Sequence, residues 1–185
     1  YLTTEEIDKL MNSFSEVSLR ALLLNTNKAC AHDIEQKFPF LIPHPIVKNG
    51  YIFDPTKYPL GKSIEHFLGL FYIQEPSAMV PAYLLNADED DIVLDLCAAP
   101  GGKSVQTSFL MENLGLIVAN DLSYSRTNAI LENVERLGLG NIIITNNNFK
   151  DIHHSYKNYF TKIIVDAPCS GSGMFKKDKK MMDDW

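Results

Sequence analysis

Strand-like and helix-like segments alternate regularly through the second half of this chain. Short apolar runs with the length of buried strands occupy residues 92–96, 116–120, 141–145 and 162–165. Helical patterns fill residues 103–113 and 125–137 between them. This alternation predicts a parallel α/β sheet with helices on both faces. Ligands of such sheets bind at the carboxyl ends of the strands, so we expect the functional site at that edge.

Residues 1–75 have a different character and predict a small α+β domain ahead of the sheet. Thr4 followed by Glu5 and Glu6 indicates a helix start, with apolar residues at helical spacing after it. Five prolines break the stretch from residue 39 to residue 59 into short extended pieces and turns. The apolar run at 18–24 is too short to assign. We therefore predict two domains, 1–75 and 76–185.

Composition narrows the class of protein. No apolar run approaches the roughly 20 residues that span a bilayer, which predicts no membrane association. The 3 cysteines are far apart, which favours reduced thiols over disulfides and predicts a cytoplasmic location. We expect no metal site, because the adjacent His153 and His154 point to different faces. The net charge of −6 argues against a broad nucleic-acid-binding surface, so any such surface has to be a local basic cluster.

The loop after the first strand of the sheet predicts a cofactor site. It consists of Cys97, Ala98, Ala99, Pro100, Gly101, Gly102 and Lys103. Small residues and paired glycines let backbone amides approach a ligand closely. Asp121, 20 residues after Gly101, has the usual spacing for an acid that binds ribose hydroxyls.

The loop lacks the full G-x-G-x-x-G spacing of dinucleotide-binding proteins, which disfavours a nicotinamide dehydrogenase, and it also lacks the P-loop pattern of nucleotide triphosphatases. A cofactor with a ribose and an adenine but without phosphates fits better, and S-adenosylmethionine is such a cofactor. The structural alternative is a glycine-rich turn that only connects the strand to the helix.

A second constellation follows the strand at 162–165. Asp166 and Cys169 flank an alanine and a chain-stiffening proline there. A cysteine in this position can be a packing residue. Because parallel strands end at one edge, however, we expect it beside the cofactor loop.

Three segments together carry a family resemblance: DLCAAPGGKS at 95–104, DAPCSGSG at 166–173 and GLFYIQEPS at 69–77. They resemble the motifs of the Sun-type (Fmu/RsmB/RsmF-like) RNA cytosine-5 methyltransferases. The resemblance implies a Rossmann-like fold that uses S-adenosyl-L-methionine and an RNA substrate, with ribosomal RNA favoured over transfer RNA by similarity to bacterial members. The oligomeric state stays open.

The resemblance also implies roles for individual residues. Residues 97–103 contact the cofactor largely through their backbone, and Asp121 holds the ribose. Asn148 matches the family's third-loop acid near the adenine, with Asp151 as the rival. Asp166 lies by the cofactor and the target base, and Cys169 assists release of the product.

The family's attacking thiol belongs to a later Thr-Cys motif, and no Thr-Cys pair occurs in these 185 residues. The family sheet has seven strands, whereas about four are recognisable here. We therefore expect a methyltransferase domain that is incomplete at its C-terminus, and a chain that is inactive by itself. The alternative is a module that binds S-adenosylmethionine without catalysis.

Overall fold

A computed structural model of the chain describes residues 2–14 and 17–169. Leu19–Ala167 form one compact unit, whereas the first helix and residues 168–169 belong to a second. In chain order the elements are α1 (Thr4–Ser13), β1 (Arg20–Leu24), α2 (Ala31–Lys37), β2 (Ile42–Pro43), β3 (Gly50–Phe53), α3 (Ile64–Phe67), β4 (Phe71–Gln74), α4 (Val80–Leu85), β5 (Ile92–Asp95), α5 (Gly102–Leu110), β6 (Leu116–Asn120), α6 (Tyr124–Leu137), β7 (Ile142–Thr145), α7 (Phe149–Ser155) and β8 (Lys162–Ile164). Two 3₁₀ turns cover Leu60–Lys62 and Ser77–Met79.

Helix α1 begins at the predicted place, with a capping box as its start signal. The Thr3 hydroxyl accepts a hydrogen bond from the Glu6 amide at 3.3 Å, and the Thr3 amide donates to the Glu6 carboxylate at 2.7 Å. The first turn of a helix leaves backbone amides without hydrogen-bond acceptors, and these two contacts provide acceptors for two of them. The helix start predicted from the sequence is confirmed.

An antiparallel sheet of order β2-β3-β1-β4 forms the first half of the Leu19–Ala167 unit. Its central strand β1 is buried on both faces: Leu22 and Leu24 join one apolar cluster, and Ala21 and Leu23 join another. Successive side chains of a strand point to opposite faces, so a strand covered on both sides is apolar throughout. This explains why the run at 18–24 shows no alternation.

The second sheet is parallel, with the order β7-β6-β5-β8 among the described residues. Val105, Ala119 and Ile130 belong to the apolar cluster that α5 and α6 share with the sheet. Leu94, Val118 and Ile152 form a further cluster, to which α7 contributes. The predicted α/β fold, with a parallel sheet and helices preceded by a small α+β part, is confirmed.

Polar contacts join the two sheets at the C-terminal end of α6. The Asn25 side chain donates to the Gly69 carbonyl at 3.1 Å and to the Leu137 carbonyl at 2.9 Å. The Lys28 ammonium donates to the Arg136 carbonyl at 2.9 Å. The last carbonyls of a helix have no partner within it, so residues from the first half of the chain cap a helix of the second half. The predicted domain boundary after residue 75 stays a prediction.

Among the described residues, no helix has both the length and the apolar character that a membrane crossing requires.

Candidate functional site

The strand register brings the predicted site residues to one edge of the parallel sheet. Asp95 ends β5 and pairs in register with Ala119 of β6 on one side and with Ile164 of β8 on the other. The carboxyl ends of these strands therefore lie side by side. Asp121 directly follows β6, and Asp166 lies two residues after the end of β8, so three carboxyl-bearing residues surround the loop at 97–103.

The loop at 97–103 is held in place through its own backbone. The Ala98 amide donates to the Asn120 carbonyl, and the Gly101 amide donates to the Ala98 carbonyl, both at 2.7 Å. The peptide bond between Ala99 and Pro100 is cis. Gly101 has φ +106°, a backbone conformation that side chains with a Cβ rarely adopt. The turn therefore needs glycine at this position in order to start α5.

Gly102 serves a different purpose, which is close approach. A Cβ on this residue would lie 2.7 Å from the Gln74 side-chain oxygen and 3.3 Å from the Tyr72 ring. The Gln74 amide also donates to Gln106 at 3.0 Å, and Gln106 donates to the Met79 carbonyl at 2.6 Å. Strand β4 of the antiparallel sheet thus packs directly on the first turns of α5, beside the cofactor loop.

Asp121 is buried, with 2% of its surface exposed, and points at the loop. Its carboxylate accepts from the Ala99 amide at 3.2 Å and from the Ser123 amide at 3.0 Å. The Arg126 guanidinium lies 3.5 Å away and also donates to the Ala99 carbonyl at 2.7 Å. A carboxylate can accept about four hydrogen bonds, so Asp121 keeps capacity for hydroxyl donors of a ligand.

Asp95 was not among the site residues predicted from the sequence. Its side chain is buried and accepts from the Ser104 hydroxyl at 2.7 Å, whereas its other oxygen has no hydrogen-bond partner among the described residues. Burial raises its pKa from 3.8 to about 6; the Ser104 hydrogen bond and Lys103 oppose this shift. The sequence places this acid at the end of an apolar strand, but its burial follows from the pairing of β5 with β6 and β8.

Asn120 organises the third loop, and its role also escaped the sequence reasoning. Its side-chain amide donates to the Leu96 carbonyl at 3.1 Å and to the Asn147 carbonyl at 3.0 Å. Its oxygen accepts from the Thr145 hydroxyl at 3.0 Å and from the Asn147 amide at 2.9 Å. One buried amide thus links the ends of β5, β6 and β7 and fixes the segment that leads to Asn148.

Asn148 and Asp151, the two candidates for the adenine contact, are bonded to each other. The Asn148 oxygen accepts from the Asp151 amide at 3.1 Å and caps α7, and the two side chains are also hydrogen-bonded. Both side chains are exposed. Capping gives Asn148 a structural role as well, and the choice between the two residues stays open.

Lys103 and Asp166 form an ion pair across the site, with 2.5 Å between the ammonium and the carboxylate. The Lys103 side chain is 19% exposed and that of Asp166 is 62% exposed. This contact places Asp166, the first residue of the second motif, beside the cofactor loop.

The three cysteines differ in their surroundings. Cys97 is partly buried, and burial together with the Asp121 and Asp95 carboxylates raises the pKa of its thiol. Cys97 is therefore held in the unreactive thiol form near neutral pH, because the thiolate is the nucleophile. Cys30 and Cys169 are exposed. Cys169 belongs to the second compact unit, and Ser170–Gly173 of its motif lie outside the described residues.

No group of three or more potential metal ligands occurs in residues 2–14 and 17–169. The rings of His153 and His154 are 5.8 Å apart and inclined by 51°.

The chain is similar to proteins named as ribosomal RNA methyltransferases. Residues 82–183 match the family described as 16S rRNA methyltransferase RsmB/F, and residues 1–76 match the N-terminal domain of 16S rRNA methyltransferase RsmF. Ribosomal RNA small subunit methyltransferase F of Vibrio parahaemolyticus is 38% identical over 174 residues, which cover 90% of this chain and 36% of that protein. The protein of the same name from an Escherichia coli O139:H28 strain is 34% identical over 99% of this chain and 40% of its own length.

Solved structures show the same fold. A methyltransferase homolog protein from Pyrococcus horikoshii is 32% identical and superposes with a TM-score of 0.78 over 94% of this chain and 57% of its own. NSun6 from the same organism is 21% identical, with a TM-score of 0.80 over 91% of this chain and 68% of its own. The chain spans little more than a third of the length of the curated relatives it matches. Because the first family match covers more than half of the chain, the chain belongs to the RsmB/F family of 16S rRNA methyltransferases.

Proposed function

We propose that the protein containing this chain transfers a methyl group from S-adenosylmethionine to carbon 5 of a cytosine in ribosomal RNA. The observation that carries the proposal is that Asp166 lies beside the cofactor loop at one sheet edge, where it forms an ion pair with Lys103. Ribosomal RNA is favoured over transfer RNA because the relatives are named for the ribosomal small subunit. We further propose a cytoplasmic location, in keeping with free thiols.

The residues present fit S-adenosylmethionine better than a phosphate-bearing cofactor. Three aspartates outnumber two cations, Lys103 and Arg126, around the loop, and this balance disfavours phosphates and favours a sulfonium cation. Asp121, which keeps unused acceptor capacity, would accept hydrogen bonds from ribose hydroxyls, and the loop at 97–103 would contact the rest of the cofactor through its backbone. Asn148 or Asp151 would meet the adenine. When bound, the cofactor supplies an electrophilic methyl group.

The chemistry of cytosine defines what the protein groups have to do. Carbon 5 is a weak nucleophile until a thiolate adds to carbon 6, after which carbon 5 can attack the methyl group. Asp166 would hold a proton near ring nitrogen 3 as the adduct forms. The proton on carbon 5 then leaves and the bond between carbon 6 and sulfur breaks, which restores the thiolate. We assign Cys169 to this release and the attack to a thiol outside these residues.

A second candidate is a cofactor-binding module without catalysis. The state of the cysteines favours it: the sequence has no Thr-Cys pair, and the raised pKa of Cys97 opposes a thiolate there. The two functions differ in one observable, which is a covalent bond between protein and RNA.

The adduct is therefore the experiment that tests the proposal. The full-length protein is incubated with labelled S-adenosylmethionine and unmodified 16S ribosomal RNA, and protein–RNA adducts are separated on denaturing gels. Cys169→Ala should let the adduct accumulate, because attack survives while release fails, and Cys30→Ala is the matched control. Loss of the adduct in Cys169→Ala would make Cys169 the nucleophile, and absence of labelled 5-methylcytosine with the unaltered protein would refute the activity.

A further inference from the structure

A hollow of about 370 Å³ lies beside the antiparallel sheet and combines aromatic rings with lysines. Its lining includes Phe38, Phe40 and Tyr58 together with Lys57 and Lys62. We call it the aromatic–lysine pocket. It is distinct from the cofactor edge, because none of its lining residues belongs to the loop at 97–103 or to the strand ends that carry the carboxylates.

The rings of the pocket are arranged as a stacking platform. Phe40 and Tyr58 lie parallel, with 3.5 Å between their ring centroids and 2° between their planes. The Phe38 ring is 5.9 Å from Phe40 and tilted by 58°. Phe38 and Phe40 pack against the apolar cluster beneath them, which holds the platform in place.

Tyr58 is the most accessible of these rings, and its backbone is fixed. It is 36% exposed. Its amide donates to the Asp54 carbonyl at 3.0 Å, and its carbonyl accepts from the Leu60 amide at 2.8 Å. Leu60 is itself anchored in the core. A partly exposed ring on a fixed backbone loses little conformational freedom when a ligand stacks on it.

The charged residues that line the pocket are lysines, although the protein is acidic overall. Lys57 and Lys62 line it, and no acidic residue does. The Lys57 ammonium is 3.5 Å from Asp54, but its side chain stays 71% exposed. No ion pair involves Lys62 among the described residues. Lys37, whose ammonium is 6.0 Å from the centre of the Phe38 ring, adds a third cation beside the platform and pairs with Glu65.

Flat rings flanked by exposed lysines are complementary to single-stranded nucleic acid. Unpaired bases offer faces that stack on aromatic side chains, and the attached phosphates offer charge to lysines. An apolar peptide would leave the lysines without partners, and a duplex keeps its bases stacked inside. We infer that the aromatic–lysine pocket binds an unpaired nucleotide segment of the RNA substrate, away from the cytosine that is methylated. This inference rests on the proposed RNA methyltransferase function.

Binding of a labelled single-stranded RNA 12-mer to the full-length protein tests the inference by fluorescence anisotropy. Tyr58→Ala should raise Kd about 5-fold to 150-fold, the range that corresponds to the loss of one base–aromatic stack. Tyr58→Phe keeps the ring, so its Kd should stay within about twofold of that of the unaltered protein. No hydrogen bond of the Tyr58 hydroxyl is formed among the described residues.

Lys62→Ala tests the phosphate contact. This variant should lower the slope of log K against log salt by roughly 0.7, the value for one phosphate contact on a single strand.

Matched controls are Tyr159→Ala and Lys48→Ala, which alter an exposed aromatic residue and an exposed lysine outside the pocket. Equal effects of Tyr58→Ala and Tyr159→Ala, or an unchanged salt slope in Lys62→Ala, would overturn the inference. Lys62 is exposed, so its variant decides even if Tyr58→Ala fails to fold. A duplex of the same sequence should bind Tyr58→Ala as it binds the unaltered protein.

Methyl transfer to 16S ribosomal RNA is measured in parallel on the same proteins. If the unaltered protein methylates RNA while Tyr58→Ala binds the 12-mer normally, the pocket assignment alone fails. If the unaltered protein transfers no methyl group, the proposed function fails.

Discussion

Three aspartates at one sheet edge have three different surroundings. Asp95 is buried with one unsatisfied oxygen, Asp121 accepts from backbone amides and faces Arg126, and Asp166 is exposed and paired with Lys103. Identical carboxyl groups are thus adapted to different tasks by burial and by their partners. Burial disfavours the charged form of Asp95 and raises its pKa.

Asp95→Asn should make the protein relatively more stable as the pH rises. The pKa of Asp95 is raised from 3.8 to about 6 in the folded state, so its ionisation penalises folding progressively between these values and fully above them. The free energy of unfolding of the variant, relative to the unaltered protein, should therefore increase between pH 4 and pH 7. The increase is at most roughly 3 kcal/mol, measured by denaturant unfolding at several pH values.

Asp91→Asn is the matched control, because its shift has the opposite sign. Hydrogen bonds from Lys162 and Thr161 lower the pKa of Asp91 from 3.8 to about 2. Its stabilising contribution is complete above pH 4 and is lost only as the pH falls towards 2, so the stability difference of this variant should be flat between pH 4 and pH 7. A flat profile for Asp95→Asn as well would contradict the buried, partly unsatisfied carboxyl.

At the scale of the element, the sequence predicted the parallel half better than the antiparallel half. Strand β6 occurs at the residues predicted, and α6 differs by one residue at its start. Their hydrophobic periodicity is set locally, so a single sequence contains it. Strand β1 stayed unassigned because burial on both faces removes the alternation, and α7 was missed because its seven residues show too little periodicity.

For the candidate site, too, the sequence predicted local features and not contacts between distant segments. The residues that follow each strand could be predicted, since parallel strands end at one edge. The ion pair of Lys103 with Asp166 and the burial of Asp95 depend on the register between strands that are far apart in the chain. Spacing within one loop contains no information about that register.

The end of α6 gives a prediction at this scale. Asn25→Ala removes two buried hydrogen bonds, to Gly69 and to Leu137, and leaves two carbonyls without their partner. Each unsatisfied buried group costs about 1–3 kcal/mol, so the free energy of unfolding should fall by about 2–5 kcal/mol in denaturant titrations. Asn27→Ala, at an exposed site two residues away, should change it by less than about 0.5 kcal/mol. Equal effects would show that the cap contributes nothing.

For the whole molecule, the acidic balance and the proposed RNA substrate are compatible only if the charges are segregated. The net charge is −6, and acidic groups surround the cofactor loop, where a sulfonium cation would bind. Lysines lie instead around the aromatic–lysine pocket. The cofactor and the RNA would thus meet differently charged regions of one protein.

The last prediction is that this 185-residue chain binds S-adenosylmethionine but does not methylate RNA. Calorimetric titration should show one cofactor site, and Asp121→Ala should weaken it about tenfold or more, because a hydrogen bond to a charged group contributes about 1.5–3 kcal/mol. Methyl transfer should fail because no cysteine of the chain is suited to the attack: Cys30 lies at the start of α2, the raised pKa of Cys97 opposes its thiolate, and Cys169 is assigned to release. Labelled carbon-5 methylcytosine above a no-enzyme control would show that one of these three thiols attacks the base after all.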